Sequence, residues 1–177
     1  SFDGTNDYII SGNNSTLTGN PSFSISIWVK VPSDAEAWAD YPHFLFWGPP
    51  SVNMYSVFFS YFENDQHRPF VGFWGGGTKA PEDSLPDGEW ANMLWTRTGG
   101  GNASTGNLLY INGYSVALTA SGLSADTSTP AIVAGTYRIL GGRFSTDGSL
   151  GPYGQIEAQL ASIAIWSRVL TAAEVVQ

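Results

Sequence analysis

Glu63-Asn64-Asp65-Gln66-His67 is the segment whose residue types could carry acid–base chemistry. On an extended strand, positions i, i+2 and i+4 share a face, so Glu63, Asp65 and His67 would point the same way. Hydrolysis of a glycosidic bond needs two carboxyl groups flanking that bond, about 5–5.5 Å apart for retention and farther apart for inversion. The segment lies between two apolar runs and is bounded by Pro69, and that setting reads as a charged hairpin turn. Asp87 and Glu89 also alternate, but around Gly88 in a turn. His43 and His67 fall short of the three or four ligands of a zinc site. No Gly-x-Ser-x-Gly elbow and no phosphate loop occur, since Gly75–Gly77 lacks a following Lys-Ser/Thr. The chain has no cysteine, which excludes disulfides, thiolate metal sites and Cys nucleophiles. These residues lead us to expect a protein that is not an enzyme.

Asp3-Gly4-Thr5-Asn6-Asp7 offers three carboxylate or amide side chains of the kind calcium takes on loops. Asp3 and Asp7 are the candidate calcium ligands, and Asp147, in a second Gly-rich loop, is a weaker one. Against this stands the ordinary use of Asp and Asn in turns, where the side chain accepts from the turn's own backbone.

Binding chemistry has the larger set of candidates. Sugars present apolar C–H faces that stack on exposed aromatic rings, while polar side chains bond their hydroxyls. Trp38, Tyr41, Tyr61, His67, Arg68 and Trp74 crowd the middle of the chain, and Arg143 and Tyr153 in the Gly-rich segment Gly141–Gly154 could complete a rim. The run Met54–Phe62 carries aromatics at both parities, so either both faces of that strand are covered or one of them presents an aromatic platform.

The elements that must position these groups are strands. Turn residues recur every eight to fifteen positions, as in a many-stranded sandwich. The pattern predicts strands near Tyr8–Ile10, Ser22–Val31, His43–Trp47, Met54–Phe62, Phe70–Trp74, Glu89–Arg97, Asn107–Ile111, Tyr114–Ala117, Ala131–Leu140 and Gln155–Trp166. Phe23, Ile25, Ile27 and Val29 alternate with Ser24, Ser26, Trp28 and Lys30, so the first set faces the core. Asn112-Gly113 supplies the positive φ angles of a two-residue hairpin. Gly99–Asn107 reads as a flexible surface loop, Gly75–Gly77 as a permissive stretch and Ala120–Pro130 as a long connection. Only Thr171–Gln177 reads as helix, with Thr171 and Glu174 at capping-box spacing.

The 177 residues form one expected domain, large enough to fold without a disulfide or metal staple. Fifteen acidic residues against seven basic ones give a formal net charge of -8. Such a chain lacks the clustered cations that hold nucleic acid or anionic membrane. No apolar run reaches the ~20 residues of a membrane helix. No signal peptide is visible ahead of the first strand, and the expected location is extracellular, on a cell surface or exposed on a virion.

Several segments resemble the laminin G-like, concanavalin A-like jelly-roll superfamily of lectins and glucanases: the opening Phe2–Tyr8, the strand Phe23–Lys30, Asp87–Arg97 with Trp90 at its head, the hairpin Leu108–Val116, and Ile163–Glu174. They follow one another in the superfamily's order over nearly the whole chain. The resemblance implies an all-β, antiparallel two-sheet β-sandwich with one short C-terminal helix, and a scaffold used for carbohydrate binding, adhesion and some enzymes. Ala161 stands where the superfamily often has an acidic residue, so no metal or pairing role of that acid carries over. Three functions stay open: a non-catalytic glycan- or polysaccharide-binding module, a structural virion or appendage protein contacting other subunits, and a glycoside hydrolase or lyase using Glu63 and Asp65. The first is preferred.

Overall fold

The computed structural model describes residues 1–5, 7–14, 17–33, 42–47, 57–61, 68–133, 136–141 and 156–175. Alternation along two central strands sets the inside from the outside. In β3 (Phe23–Lys30), Phe23, Ile25 and Ile27 are fully buried while Trp28 is 40% exposed. In β8 (Trp90–Arg97), Ala91, Met93 and Trp95 point inward while Trp90 is 42% exposed. The two strands pair antiparallel along their full length, so their apolar sides merge into one inner surface.

Around them a six-stranded sheet runs in the order β1 (Phe2–Asp3), β13 (Glu157–Trp166), β3, β8, β9 (Asn107–Ile111), β10 (Tyr114–Val116). The facing seven-stranded sheet runs β11 (Thr119–Ala120), β7 (Gly76–Lys79), β6 (Pro69–Phe73), β5 (Val57–Tyr61), β4 (His43–Trp47), β12 (Thr136–Leu140), β2 (Ile9–Asn14). Leu45, Trp47, Val57, Phe59, Val71 and Phe73 come from the second sheet to meet the first. Trp95 anchors the seam: its ring meets Phe23 edge-on at 4.8 Å, Phe73 at 6.0 Å and Phe59 at 6.2 Å. The architecture is the expected antiparallel two-sheet sandwich. The opening and closing strands meet, with Phe2 opposite Ala158 and Asp3 opposite Glu157.

The ambiguity left by the run Met54–Phe62 resolves toward covered faces at the described positions. Phe46, Ser60 and Phe70, on the side of the seven-stranded sheet away from the core, are buried as well. Phe70 lies over bare backbone, since a Cβ on Gly72 or Gly77 would sit within 3 Å of its ring.

Two glycine-rich segments differ from their sequence reading. Gly76 and Gly77 belong to β7, and a Cβ on Gly76 would fall 2.5 Å from the Ala125 carbonyl, so glycine here answers close approach rather than turn freedom. The Asp126 carboxylate fixes that approach by accepting the amides of Gly77 at 2.9 Å and Gly122 at 2.7 Å. Gly99–Asn107 is pinned rather than free. Arg97, at the inner end of β8 and fully buried, donates to the carbonyls of Thr105 at 2.7 Å and Asn102 at 3.1 Å, and to Oδ1 of Asn20 at 2.9 Å. Its guanidinium also covers the Phe73 ring at 4.7 Å.

The Asn112–Gly113 hairpin forms as predicted, with φ of 51° and 81°. The helix, α1 (Ala172–Val175), is shorter than the predicted Thr171–Gln177, and residues 176 and 177 lie outside the described ones.

Candidate functional site

The outward side of β3 and β8 carries a row of side chains that the sandwich leaves free to meet solvent. Residues directly opposite share a face, so Ser24 and Thr96, Ser26 and Leu94, Trp28 and Asn92, and Lys30 and Trp90 make four outward pairs. Trp28 and Trp90 are therefore diagonal neighbours, about 7–8 Å apart at the backbone. Both indoles are close to half exposed.

What turns this flat surface into a groove is the chain after β13. Ser24 is fully buried although it points outward. Its hydroxyl donates to the Arg168 carbonyl at 2.9 Å and accepts the Leu170 amide at 2.9 Å. The segment leading into α1 is thereby tied across the sheet. Leu170 and Val175 then pack on Leu94, with Tyr110 and Trp166 beside them. The groove that results has a volume of about 800 Å³. Trp28, Trp90 and Trp166 give it indole surface, Ser26, Asn92 and Asn112 give it polar groups, and Arg168 and Glu174 stand at the helix side.

The polar groups are held in place. Asn92 donates through Nδ2 to the Ser26 hydroxyl at 2.9 Å. Its backbone N–H donates to Oδ1 of Asn112 at 2.9 Å, which carries the ladder into the hairpin turn. Arg168 grips Glu174 with both terminal nitrogens, at 2.9 and 2.6 Å. The carboxylate arm of the capping box also forms, because Glu174 accepts the Thr171 amide at 2.8 Å. The other arm differs from expectation: the Thr171 hydroxyl donates to Glu174 at 2.9 Å instead of capping its amide, which bonds the Thr171 carbonyl at 2.9 Å. The Arg168 hydrogen bond, followed by those from Thr171, holds the Glu174 pKa down at about 2.

Of the residues singled out in the sequence, the described ones do not line this groove. Trp38, Tyr41, His67, Arg143 and Tyr153, the side chain of Tyr61, and the residues Glu63, Asp65 and Asp147 lie outside the described residues. Arg68 is described and forms an ion pair with Glu82. Trp74 is half-buried and packs with Phe46, Phe70 and Leu123 on the outer side of the seven-stranded sheet. Asp3 is exposed, its Oδ1 accepting the Thr5 amide at 2.8 Å, and Asp7 accepts the Asp3 amide at 3.1 Å. Each thus has one oxygen engaged by the turn. Among the described residues, no cluster of three or more His, Asp or Glu side chains forms.

Trp28, Trp90, Asn92 and Trp166 were not among the sequence candidates. The outward parity of Trp28 was readable, but the pairing of β3 with β8 that sets Trp90 beside it was not.

The family model of the concanavalin A-like lectin/glucanases superfamily, in its laminin G form, matches residues 3–176. The chain belongs to this superfamily. Among solved structures, a heptameric SAP-like pentraxin from Limulus polyphemus is similar with a TM-score of 0.63 at 14% identity, over 99% of this chain and 78% of that one. The CBM40 domain of the Ruminococcus gnavus IT-sialidase, bound to α2,3-sialyllactose, has a TM-score of 0.56 at 13% identity, over 95% of this chain and 96% of that one. Domain 4 of a GH43 extracellular arabinanase from Geobacillus stearothermophilus, in complex with arabinotriose, has a TM-score of 0.52 at 14% identity, over 96% and 86%. At these identities the likeness is one of fold. No curated protein sequence matches. Among the described residues, no helix of this lectin-like sandwich is long and apolar enough to cross a membrane.

Proposed function

We propose that this chain is a non-catalytic carbohydrate-binding module whose glycan lies across Trp28 and Trp90. The observation that carries the reading is the pair of half-exposed indoles on adjacent strands, set in a groove with fixed amide and hydroxyl groups between them. Ligand sites combine such apolar surface with a few placed polar groups. The indole faces take the C–H side of a sugar ring, and Asn92, Ser26 and Asn112 bond its hydroxyls. Fold relatives that hold sialyllactose and arabinotriose support this use of the scaffold.

A glycan array run with and without calcium is the direct test, and the calcium arm also tests Asp3 and Asp7 as metal ligands. Trp28→Ala and Trp90→Ala should each weaken binding by about tenfold. Because both residues are close to half exposed and lie outside the core, the melting temperature should change much less than for a core tryptophan. An array blank in both conditions would sink the proposal.

A second reading, contact with other subunits, is favoured by the exposure of Tyr8, Ile9 and Ile10 in succession at the edge strand β2. Light scattering that finds only monomer at high concentration would remove it.

A further inference from the structure

Among the described residues, two charged ones line the groove, Arg168 and Glu174, and they neutralise one another. The planar fork of an arginine is the usual means of holding a carboxylate, sulfate or phosphate. Here the terminal nitrogens of that fork are already engaged, since Nη1 and Nη2 of Arg168 each donate to a different oxygen of Glu174. Glu174 is further fixed by the amide and hydroxyl of Thr171. Its carboxyl is held well below the ordinary range, so the pair stays fully charged at neutral pH. Lys30 stands opposite Trp90 but outside the lining, and the exposed Glu89 precedes Trp90 with the opposite sign. Beside the Arg168–Glu174 pair, the described lining offers a ligand three indoles, aliphatic side chains, amides and a hydroxyl. The whole chain adds a net charge of -8, which repels anions at a distance.

Resting on the glycan reading above, we infer that the groove takes an uncharged oligosaccharide and excludes acidic sugars, and that Glu174 sets this selectivity by occupying Arg168. A groove of about 800 Å³ lies toward the upper end of ordinary ligand sites, which leaves room for more than one sugar ring. The two diagonal indoles offer successive stacking positions along it.

The test compares neutral oligosaccharides with their sialylated, uronic acid-containing and sulfated counterparts, at low and at high salt. The wild-type protein is expected to bind the neutral set with little salt dependence and to leave the acidic set unbound. Glu174→Gln removes the charge yet keeps an oxygen for the Thr171 amide. Measured against neutral binding by the same variant, which reports whether the groove is intact, acidic binding should gain at least about tenfold in a salt-sensitive manner. Adding Arg168→Met to that variant should erase the gain. If the wild-type protein prefers acidic glycans, and loses them in Arg168→Met or Lys30→Met, the inference is wrong while the glycan reading survives. A Glu174→Gln protein that binds neutral glycans and gains no acidic ones overturns the role of Glu174. Binding of neither set by the wild-type protein overturns the glycan reading itself.

Discussion

Arg97 is a full charge with no solvent, and its described hydrogen-bond partners are neutral oxygens. Burial holds its pKa down to about 10. The side chain persists because it gathers Asn20, Gly101, Asn102, Thr105 and Asn107 around one planar cation. Removing it strands several buried acceptors at once. Arg97→Met should therefore cost about 3 kcal/mol, read as a lowered urea midpoint with an unchanged slope. The sequence carried little warning of this. An arginine ending a strand next to Gly99-Gly100-Gly101 reads as solvated, and the loop after it reads as free. The information lies in Asn20, 77 positions away, which no local pattern connects to Arg97. Trp28 shows the same limit from the other side. Its parity was legible because alternation is a local property, but its neighbour Trp90 depended on strand pairing.

At the scale of elements, α1 has four residues and cannot be stable alone. It is held by Leu170 and Val175 on Leu94, by Ser24 beneath the incoming segment, and by the Arg168–Glu174 pair. Ser24→Ala deletes one donor and one acceptor in a buried place and should cost about 1–3 kcal/mol, measurable by thermal melting. The pair has a pH signature. The folded-state pKa of Glu174 lies below its ordinary 4.5, so the folded state favours the ionised form. Its contribution is then complete above about pH 4.5 and is lost as pH falls toward 2. Protection of the Glu174 and Val175 amides against hydrogen exchange, taken relative to the intrinsic rate at each pH, should fall through that window, and Glu174→Gln should flatten the response. The Thr171–Glu174 spacing announced the capping carboxylate. Arg168 as its second partner was not singled out, because six residues of separation fit no helical spacing.

For the whole molecule, the strand order places early and late parts of the chain side by side: β1 pairs with β13, β2 with β12 and β3 with both β8 and β13. Contacts of such long range slow folding, so refolding is expected in the millisecond-to-second range, near the slow end for single domains. Stopped-flow tryptophan fluorescence should show it, and a microsecond phase accounting for the full signal would contradict it. The ordered series of motifs revealed the fold class. It did not reveal β7 or β11, because glycine and short runs carry no strand signature. One feature of the β1–β13 pairing bears on how copies of the molecule behave in a crowded solution. Among the described residues, β1 pairs only with Glu157 and Ala158 of the ten-residue β13, and no other strand pairs with that edge of it. The register breaks between Ala161 and Ala164, and Ser162 adopts φ of 48°. A bulge there twists that edge and breaks its regular spacing of amides and carbonyls. The irregularity in β13 thus acts as a guard against growth of the sheet from one molecule into the next.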